Sequence, residues 1–265
     1  MRFLKVEGAG NDFVCVDALR GDAPGDPAPL ARAVCDRQRG VGADGLLILE
    51  RDATSDARMV VWNADGSRSD MCGNALRCVA LVLVRDHGCD RACVVATDSG
   101  PLASEVVTID GDVATVRTSV GSPEDLGTHT INIDGGPVHV QALRVGNPVC
   151  VVWTDQVDDA PVTTVGPTLE VHEAFPDGTN VAFAEVVDRG RIRQRTWERG
   201  CGETLACGTG ASAVCVAGVL SGRTDREVSI TLPGGALALG WPSDDAAVSL
   251  TGSARIVFEG SWPWR

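Results

Sequence analysis

The chain has 265 residues, 44% of them hydrophobic, and a formal net charge of −13. That length holds one large domain or two ordinary ones with well-formed cores, and the acidic balance argues against nucleic-acid or anionic-membrane partners, which require clustered cations. Ten cysteines are too sparse for a disulfide scaffold; with no Arg-rich leader and no apolar run near about 18 residues, the expectation is a cytoplasmic protein with reduced thiols and a small-molecule ligand.

In chain order, "RFLKVEGAGNDFVCVDAL" reads as strand, Gly-rich turn and strand, and "PAPLARAVCDRQRGVGADG" as a helix ending at its glycines. "GLLILERD" and "ARMVVWNADG" read as strands, the second closed by Asp-Gly. From Gly73 to about Arg85, "GNALRCVALVLVR" is helix-compatible and apolar nearly all round, which predicts a buried helix. Val, Thr and Ile between about Cys93 and Val140, punctuated by Gly and Asp, predict a series of strands. "ALRVGNPVCVVWTD" restarts with strand, Gly-Asn turn and strand, and "VAFAEVVDRGRIRQRTWERG" predicts a hairpin through Asp188, Arg189 and Gly190. A second Cys-Gly helix spans Gly208 to Gly218, and strands follow to the end.

Two motif pairs share nearly one offset. Asn11 in "AGNDFVCVD" and Asn147 in "VGNPVCVVW" lie 136 residues apart, and the Cys-Gly pairs at Cys72 and Cys207 lie 135 apart. An offset of half the chain predicts two homologous halves, each a set of strands with one buried central helix. The expected division is 1–118, carrying Cys72 and completed by a last strand at 255–265, and 119–254, carrying Cys207.

Several patterns carry no chemistry. "GVGADG" at 40–45 fits G-x-G-x-x-G but follows a helix and precedes a strand, the reverse of a dinucleotide site. The spacings Cys72/Cys78, Cys89/Cys93 and Cys201/Cys207 are not zinc spacings, so no metal is expected. His87, His129, His139 and His172 fall outside every motif. Lys5 is the sole lysine, which leaves a Schiff-base enzyme one candidate.

What remains is a cysteine opening each repeated helix. A helix N-terminus carries unsatisfied N–H groups and partial positive charge, which is expected to lower a thiol there into a range of about 3.5 to 7.5. Gly73, Asn74 and Ala75 in one half, and Gly208, Thr209 and Gly210 in the other, leave N–H groups open to a carboxylate. Two such starts face to face would flank one carbon, a thiolate removing its α-proton on one side and a thiol returning one on the other. Cys15, Cys35, Cys78, Cys93, Cys150 and Cys215 read as buried apolar residues.

The segments "GAGNDF", "NADGSRSDMCGNALRC", "VGNP", "TNVAFAEV" and "WERGCGETLACGTGA" resemble, in order and spacing over essentially the whole chain, those of the diaminopimelate epimerase family. The resemblance implies an α/β (α+β) fold of two homologous domains, each a curved mixed sheet around a central helix. The domains would be related by a pseudo-two-fold axis, with the site in the cleft. It further implies a homodimeric isomerase without pyridoxal phosphate, metal or other cofactor, which interconverts LL- and meso-diaminopimelate for lysine and peptidoglycan synthesis. By motif, Cys72 and Cys207 resemble the acid/base pair; Gly73, Asn74, Gly208 and Thr209 the carboxylate cradle; and Asn11, Asn63, Asn147, Asn180, Glu198 and Arg199 the remaining substrate shell, with Arg199 facing the distal carboxylate. Three positions depart from the family pattern: Val149 and Glu7 stand where members usually carry His, and Cys201 replaces a small residue. Those departures keep open a racemase of the same family acting on another amino acid, beside an isomerase using a carboxylate base and a duplicated amino-acid-binding protein without catalysis.

Overall fold

The fold is mixed α/β, mostly strand with four helices among the described residues. The computed structural model describes residues 1–21, 23–69 and 71–264; Asp22, Asp70 and Arg265 lie outside the described residues. The chain divides into two compact units, Met1–Thr118 with Thr251–Arg265, and Ser119–Leu250.

The first unit carries β1 (Arg2–Gly8), β2 (Asn11–Asp17), α1 (Pro27–Val34), β3 (Gly45–Glu50), β4 (Ala57–Asn63), β5 (Arg68–Ser69), α2 (Gly73–His87), β6 (Ala92–Thr97), β7 (Gly100–Asp110) and β8 (Val113–Ser119). The second carries β9 (Glu124–Ile133), β10 (Gly136–Val145), β11 (Asn147–Trp153), α3 (Val162–Glu170), β12 (Asn180–Asp188), β13 (Arg191–Glu198), β14 (Gly202–Thr204), α4 (Gly208–Leu220), β15 (Glu227–Leu232) and β16 (Gly235–Gly240). The last strand, β17 (Ser249–Ser261), returns the chain to the first unit.

In the first unit the pairings close on themselves. β17 pairs with β1, β1 with β2, β2 with β3, β3 with β4, β4 with β6, β6 with β7, β7 with β8, and β8 with β17. The ring encloses α2, whose residues Gly73 to Leu83 are all buried against Phe13, Leu47, Met59, Val95, Val116 and Ile256. β3 shows how the sequence specifies this. Leu47 and Leu49 face the α2 core, whereas Leu46 and Ile48 face a second core under α1 with Leu30 and Val34. A strand covered on both faces reads as an unbroken apolar run, and each fully buried Leu contributes roughly 1.5–3 kcal/mol.

Helix boundaries differ from the sequence expectation where local hydrogen bonds compete. α1 starts at Asp26, whose carboxylate accepts from Ala28 N–H ahead of Pro27. It stops well before the glycines, because Asp36 accepts the N–H groups of Gln38 and Arg39 at 2.8 Å each and makes a turn there. α2 continues past Arg85 to His87 and ends at Gly88, in the left-handed region at φ 66°.

In the second unit the parallel and antiparallel pairings from β10 to β16 follow the same succession as those from β1 to β7. α4 stands where α2 does in that succession, with Thr209 to Gly218 buried. α3 was not expected from the sequence, since "VTTVGPTLE" combines β-branched residues with Gly and Pro. Packing overrides that propensity: Val162 and Leu169 join a core with Val181 and Phe183, and Gly166 abuts Trp197, where a Cβ would lie 2.7 Å from the Trp197 Cβ.

Candidate active site

Cys72 is the N-cap of α2, in extended backbone at φ −140° and ψ 112°. Leu76 N–H makes the first helical bond, 2.9 Å to the Cys72 carbonyl, so the N–H groups of Gly73, Asn74 and Ala75 have no acceptor within the helix. The thiol makes no cap bond; its sulfur lies 3.6 Å from Asn11 Oδ1, to which Asn74 Nδ2 also donates at 3.3 Å. Asn11, Cys72 and Asn74 meet because the β1–β2 turn reaches the helix start, with Ala9 and Gly10 at φ 54° and 83°. Gly8 permits the approach, since a Cβ there would sit 3.0 Å from the Asn74 carbonyl oxygen. Glu7 accepts the Gly10 N–H at 2.5 Å and steadies this turn. Asn63 ends β4 and donates 2.9 Å to Ser67 Oγ in the turn into β5, with no hydrogen bond to the Cys72 group among the described residues.

Cys207 caps α4 in the same backbone conformation, φ −125° and ψ 105°, but its side chain behaves differently. Its sulfur accepts from Gly210 N–H at 3.3 Å and touches Thr209 Oγ1 at 3.5 Å. Burial pushes the Cys207 thiol well above its ordinary range, and the neighbouring Glu198 carboxylate adds to this; the Thr209 and Gly210 hydrogen bonds pull the other way without prevailing. The sequence expectation of a lowered thiol is therefore reversed at Cys207, because desolvation and a carboxylate outweigh the helix N-terminus. Burial likewise raises Cys15, Cys35, Cys78, Cys93, Cys150 and Cys215.

Glu198, which acts on Cys207, accepts from the Thr204 hydroxyl, and the next residue, Arg199, donates its N–H to buried Asn180 at 2.9 Å. The Arg199 guanidinium donates to the Asp177 carbonyl at 2.6 Å. Asn147 opens β11 after Gly146 at φ 74° and makes no hydrogen bond to the others among the described residues. Gly208 has the Leu250 side chain 3.3 Å from where its Cβ would stand. Val149 is buried in β11, opposite Asn180 in β12. Cys201 lies exposed in the β13–β14 turn.

Two residues beneath the first helix start were not expected. Arg77, the one interior charge of "GNALRCVALVLVR", is fully buried. It donates to Asn74 Oδ1 at 2.8 Å, the Gly73 carbonyl at 3.3 Å and the Ser253 carbonyl at 3.1 Å. Asp44, from the discarded "GVGADG", accepts 2.7 Å bonds from Asn11 Nδ2 and Arg37. The signal for Arg77 was present, a lone cation inside a helix read as buried. Lys5 is committed elsewhere, 2.6 Å from Asp12 and bonded to the Gly42 carbonyl. Among the described residues no group of three or more His, Cys, Asp or Glu is placed to hold a metal. A cavity of about 500 Å³ in the first unit, lined by Phe3, Asp17, Arg20, Asp86 and Trp264, contains none of the expected site residues.

The sequence profile of the diaminopimelate epimerase family matches residues 3–124 and 141–257. A diaminopimelate epimerase of Desulforudis audaxviator is 48% identical over 277 residues, covering 99% of each chain. That of Moorella thermoacetica is 42% identical, also over 99% of each. Among solved structures, a probable proline racemase of Agrobacterium radiobacter covers the whole chain and 93% of its own at TM-score 0.78 and 16% identity. A Bacillus anthracis phenazine biosynthesis protein of the PhzF family covers 98% of each chain at TM-score 0.73 and 15% identity. These last two show a shared fold.

Proposed function

The chain belongs to the diaminopimelate epimerase family, and on that premise we propose that it interconverts LL- and meso-diaminopimelate by a cofactor-independent two-base transfer at the α-carbon. One cysteine, as thiolate, takes the α-proton; the electron pair passes into the substrate carboxylate as an enolate-like charge. The other cysteine, as thiol, protonates the opposite face and is left as thiolate. The N–H groups at the starts of α2 and α4 hold the developing charge, the electrostatic contribution that is usually largest. Cys72 and Cys207 carry the protons; Gly73, Asn74, Gly208 and Thr209 cradle the reacting carboxylate; Asn11, Asn63, Asn147, Asn180, Glu198 and Arg199 complete the substrate shell.

The carrying observation is that each unit, built by the same succession of strand pairings, opens its buried helix with a thiol at the N-cap. That supports two halves descended by duplication, each a sheet curved around its helix, with the first half at 1–118 plus the last strand. The product serves lysine and peptidoglycan synthesis in the cytoplasm, and the enzyme acts as a homodimer. No helix is long and apolar enough to cross a membrane among the described residues.

Incubation with LL-diaminopimelate in heavy water, without pyridoxal phosphate, tests the reading. α-Deuterium incorporation with formation of the meso isomer is expected, and its loss in both Cys72→Ala and Cys207→Ala. Absence of exchange in the parent refutes it. A second reading, a racemase of the same family for a different amino acid, is favoured by buried Val149 where members usually carry His. Exchange with another amino acid but not with diaminopimelate establishes that alternative.

A further inference from the structure

Asn11 and Asn74 form two links of a chain whose ends are unlike. At one end Arg77 has only donors, and it gives NH2 to Asn74 Oδ1 at 2.8 Å. Asn74 must then turn its own NH2 outward, and it donates to Asn11 Oδ1 at 3.3 Å. At the other end the Asp44 carboxylate has only acceptors, and it takes the Asn11 NH2 at 2.7 Å. A donor-only group at one end and an acceptor-only group at the other leave each amide one orientation that satisfies the chain. Reversing either amide sets NH2 against NH2, or carbonyl oxygen against carboxylate.

Both ends are themselves held. Asp44 accepts from Arg37 at 2.7 Å, and its N–H is 3.0 Å from Asp12 Oδ1. Asp12 in turn is paired to Lys5 and Arg37. Arg77 is anchored by the Gly73 and Ser253 carbonyls and is fully buried. The result of this polarity is felt at one atom: the sulfur of Cys72, 3.6 Å from Asn11 Oδ1, meets a carbonyl oxygen rather than an NH2.

We propose that Asp44 and Arg77 are positioning residues which, acting through the Asn11 and Asn74 amides, aim a hydrogen-bond acceptor at the Cys72 thiol. The proposal rests on Cys72 being one of the two proton carriers. An acceptor there favours the protonated sulfur, the form that delivers a proton to the α-carbon in one direction of the reaction, and disfavours premature ionisation. Among the described residues, the charged and titratable groups next to this sulfur include Arg77 and Cys78 from α2; Glu7, near the end of β1, acts on both of these, and through Asn11 the chain reaches Asp44 with Arg37 and Asp12. Of these, Asp44 touches Asn11 directly and is accessible to substitution, its side chain being 42% exposed.

The test is iodoacetamide alkylation of Cys72 across pH, quantified on its peptide by mass spectrometry, in the parent, Asp44→Ala, Asp44→Asn and Asn11→Ala. Asp44→Ala removes the shorter, charge-assisted bond that holds the Asn11 amide and leaves it only the 3.3 Å bond from Asn74, and Asn11→Ala removes the acceptor itself. Both are expected to raise the Cys72 alkylation rate at neutral pH about tenfold, the size of change that loss of one hydrogen bond to an ionisable group produces. Asp44→Asn retains an oxygen that can take the Asn11 NH2 and is expected to stay within about threefold of the parent. Equal rates in parent and Asp44→Ala overturn the proposal, as do opposite effects of Asp44→Ala and Asn11→Ala, or equal effects of Asp44→Ala and Asp44→Asn. Should Asp44→Ala not fold, the comparison of Asn11→Ala with the parent decides it alone, unchanged or slower alkylation overturning it. The readout needs no turnover, so failure of the epimerase reading, seen as no exchange in the parent, is separate from failure of this one.

Discussion

Replacement of Gly210 by alanine tests whether the resting position of the Cys207 sulfur matters to turnover. A Cβ at 210 would lie 3.1 Å from Cys207 Sγ, 3.1 Å from Gln194 Nε2 and 3.3 Å from Cys207 Cβ. All three sit inside ordinary van der Waals contact, so the sulfur must give by a few tenths of an ångström and lose the 3.3 Å bond from the residue 210 N–H. Overpacking of this kind costs about 1–3 kcal/mol, whereas Ala for Gly within a helix returns about 1 kcal/mol. The two nearly offset, and Tm is expected to fall by no more than about 6 °C. Activity has no such compensation. With misplacement of about 1 Å costing roughly a hundredfold, a few tenths of an ångström is expected to lower kcat about tenfold. α2 already carries Ala75 at the corresponding third position, and there the thiol makes no cap bond and turns toward Asn11 instead. The measurement is kcat and KM for LL- and meso-diaminopimelate beside a thermal melt. A kcat within about twofold of the parent, from a variant with lowered Tm, would show that the sulfur tolerates displacement and refute the reasoning.

Glu198→Gln removes the carboxylate that adds to burial in raising Cys207, so this thiol is expected to ionise at lower pH. Thiolate absorbance, taken as the difference from Cys207→Ala, reads the midpoint directly; an unchanged or higher midpoint contradicts the electrostatic account. Asp12 is held at about 2: burial alone would raise it, but hydrogen bonds from Arg37 and Lys5, with their charges, prevail. Because the folded value is depressed, its stabilisation is full above the ordinary carboxylate value of 3.8 and is lost as pH falls through about 2. Asp12→Asn should therefore cost about 1–2 kcal/mol near pH 6, after allowance for the exposed Arg37, and much less near pH 2. Urea midpoints that differ from the parent equally at both pH values would exclude this linkage. Gly166→Ala drives a methyl to 2.7 Å from Trp197 Cβ and 2.8 Å from its Cγ, and should destabilise by about 1–3 kcal/mol; an unaltered melt would mean that α3 and β13 shift apart without cost.

Much of the molecule was legible in the sequence because its periodicities are clean. "GLLILE" reads as a strand, and its unbroken apolar run has its reason in the structure, where Leu46 to Leu49 divide between two cores. The shared offset of Asn11/Asn147 and Cys72/Cys207 pointed to repetition, and the strand pairings run in the same succession in both units. α3 was not legible, because its residues have little helix propensity and hold a helix only against Trp197 and Phe183.

The sequence by itself determined where the two thiols stand along the chain and that each opens a buried helix, since a Cys-Gly pair before a long apolar run is local information. Only the tertiary structure decided their chemical surroundings. Two like helix starts do not give two like thiols: Cys207 is buried beside Glu198 and capped by Gly210 N–H, whereas Cys72 is half-buried and faces the Asn11 carbonyl. Ionisation depends on solvent exclusion and on charges brought from distant segments. Neither Asp44 nor Arg77 lies near Asn11 in the sequence, and the fold alone joins them through two amides into one hydrogen-bonded chain.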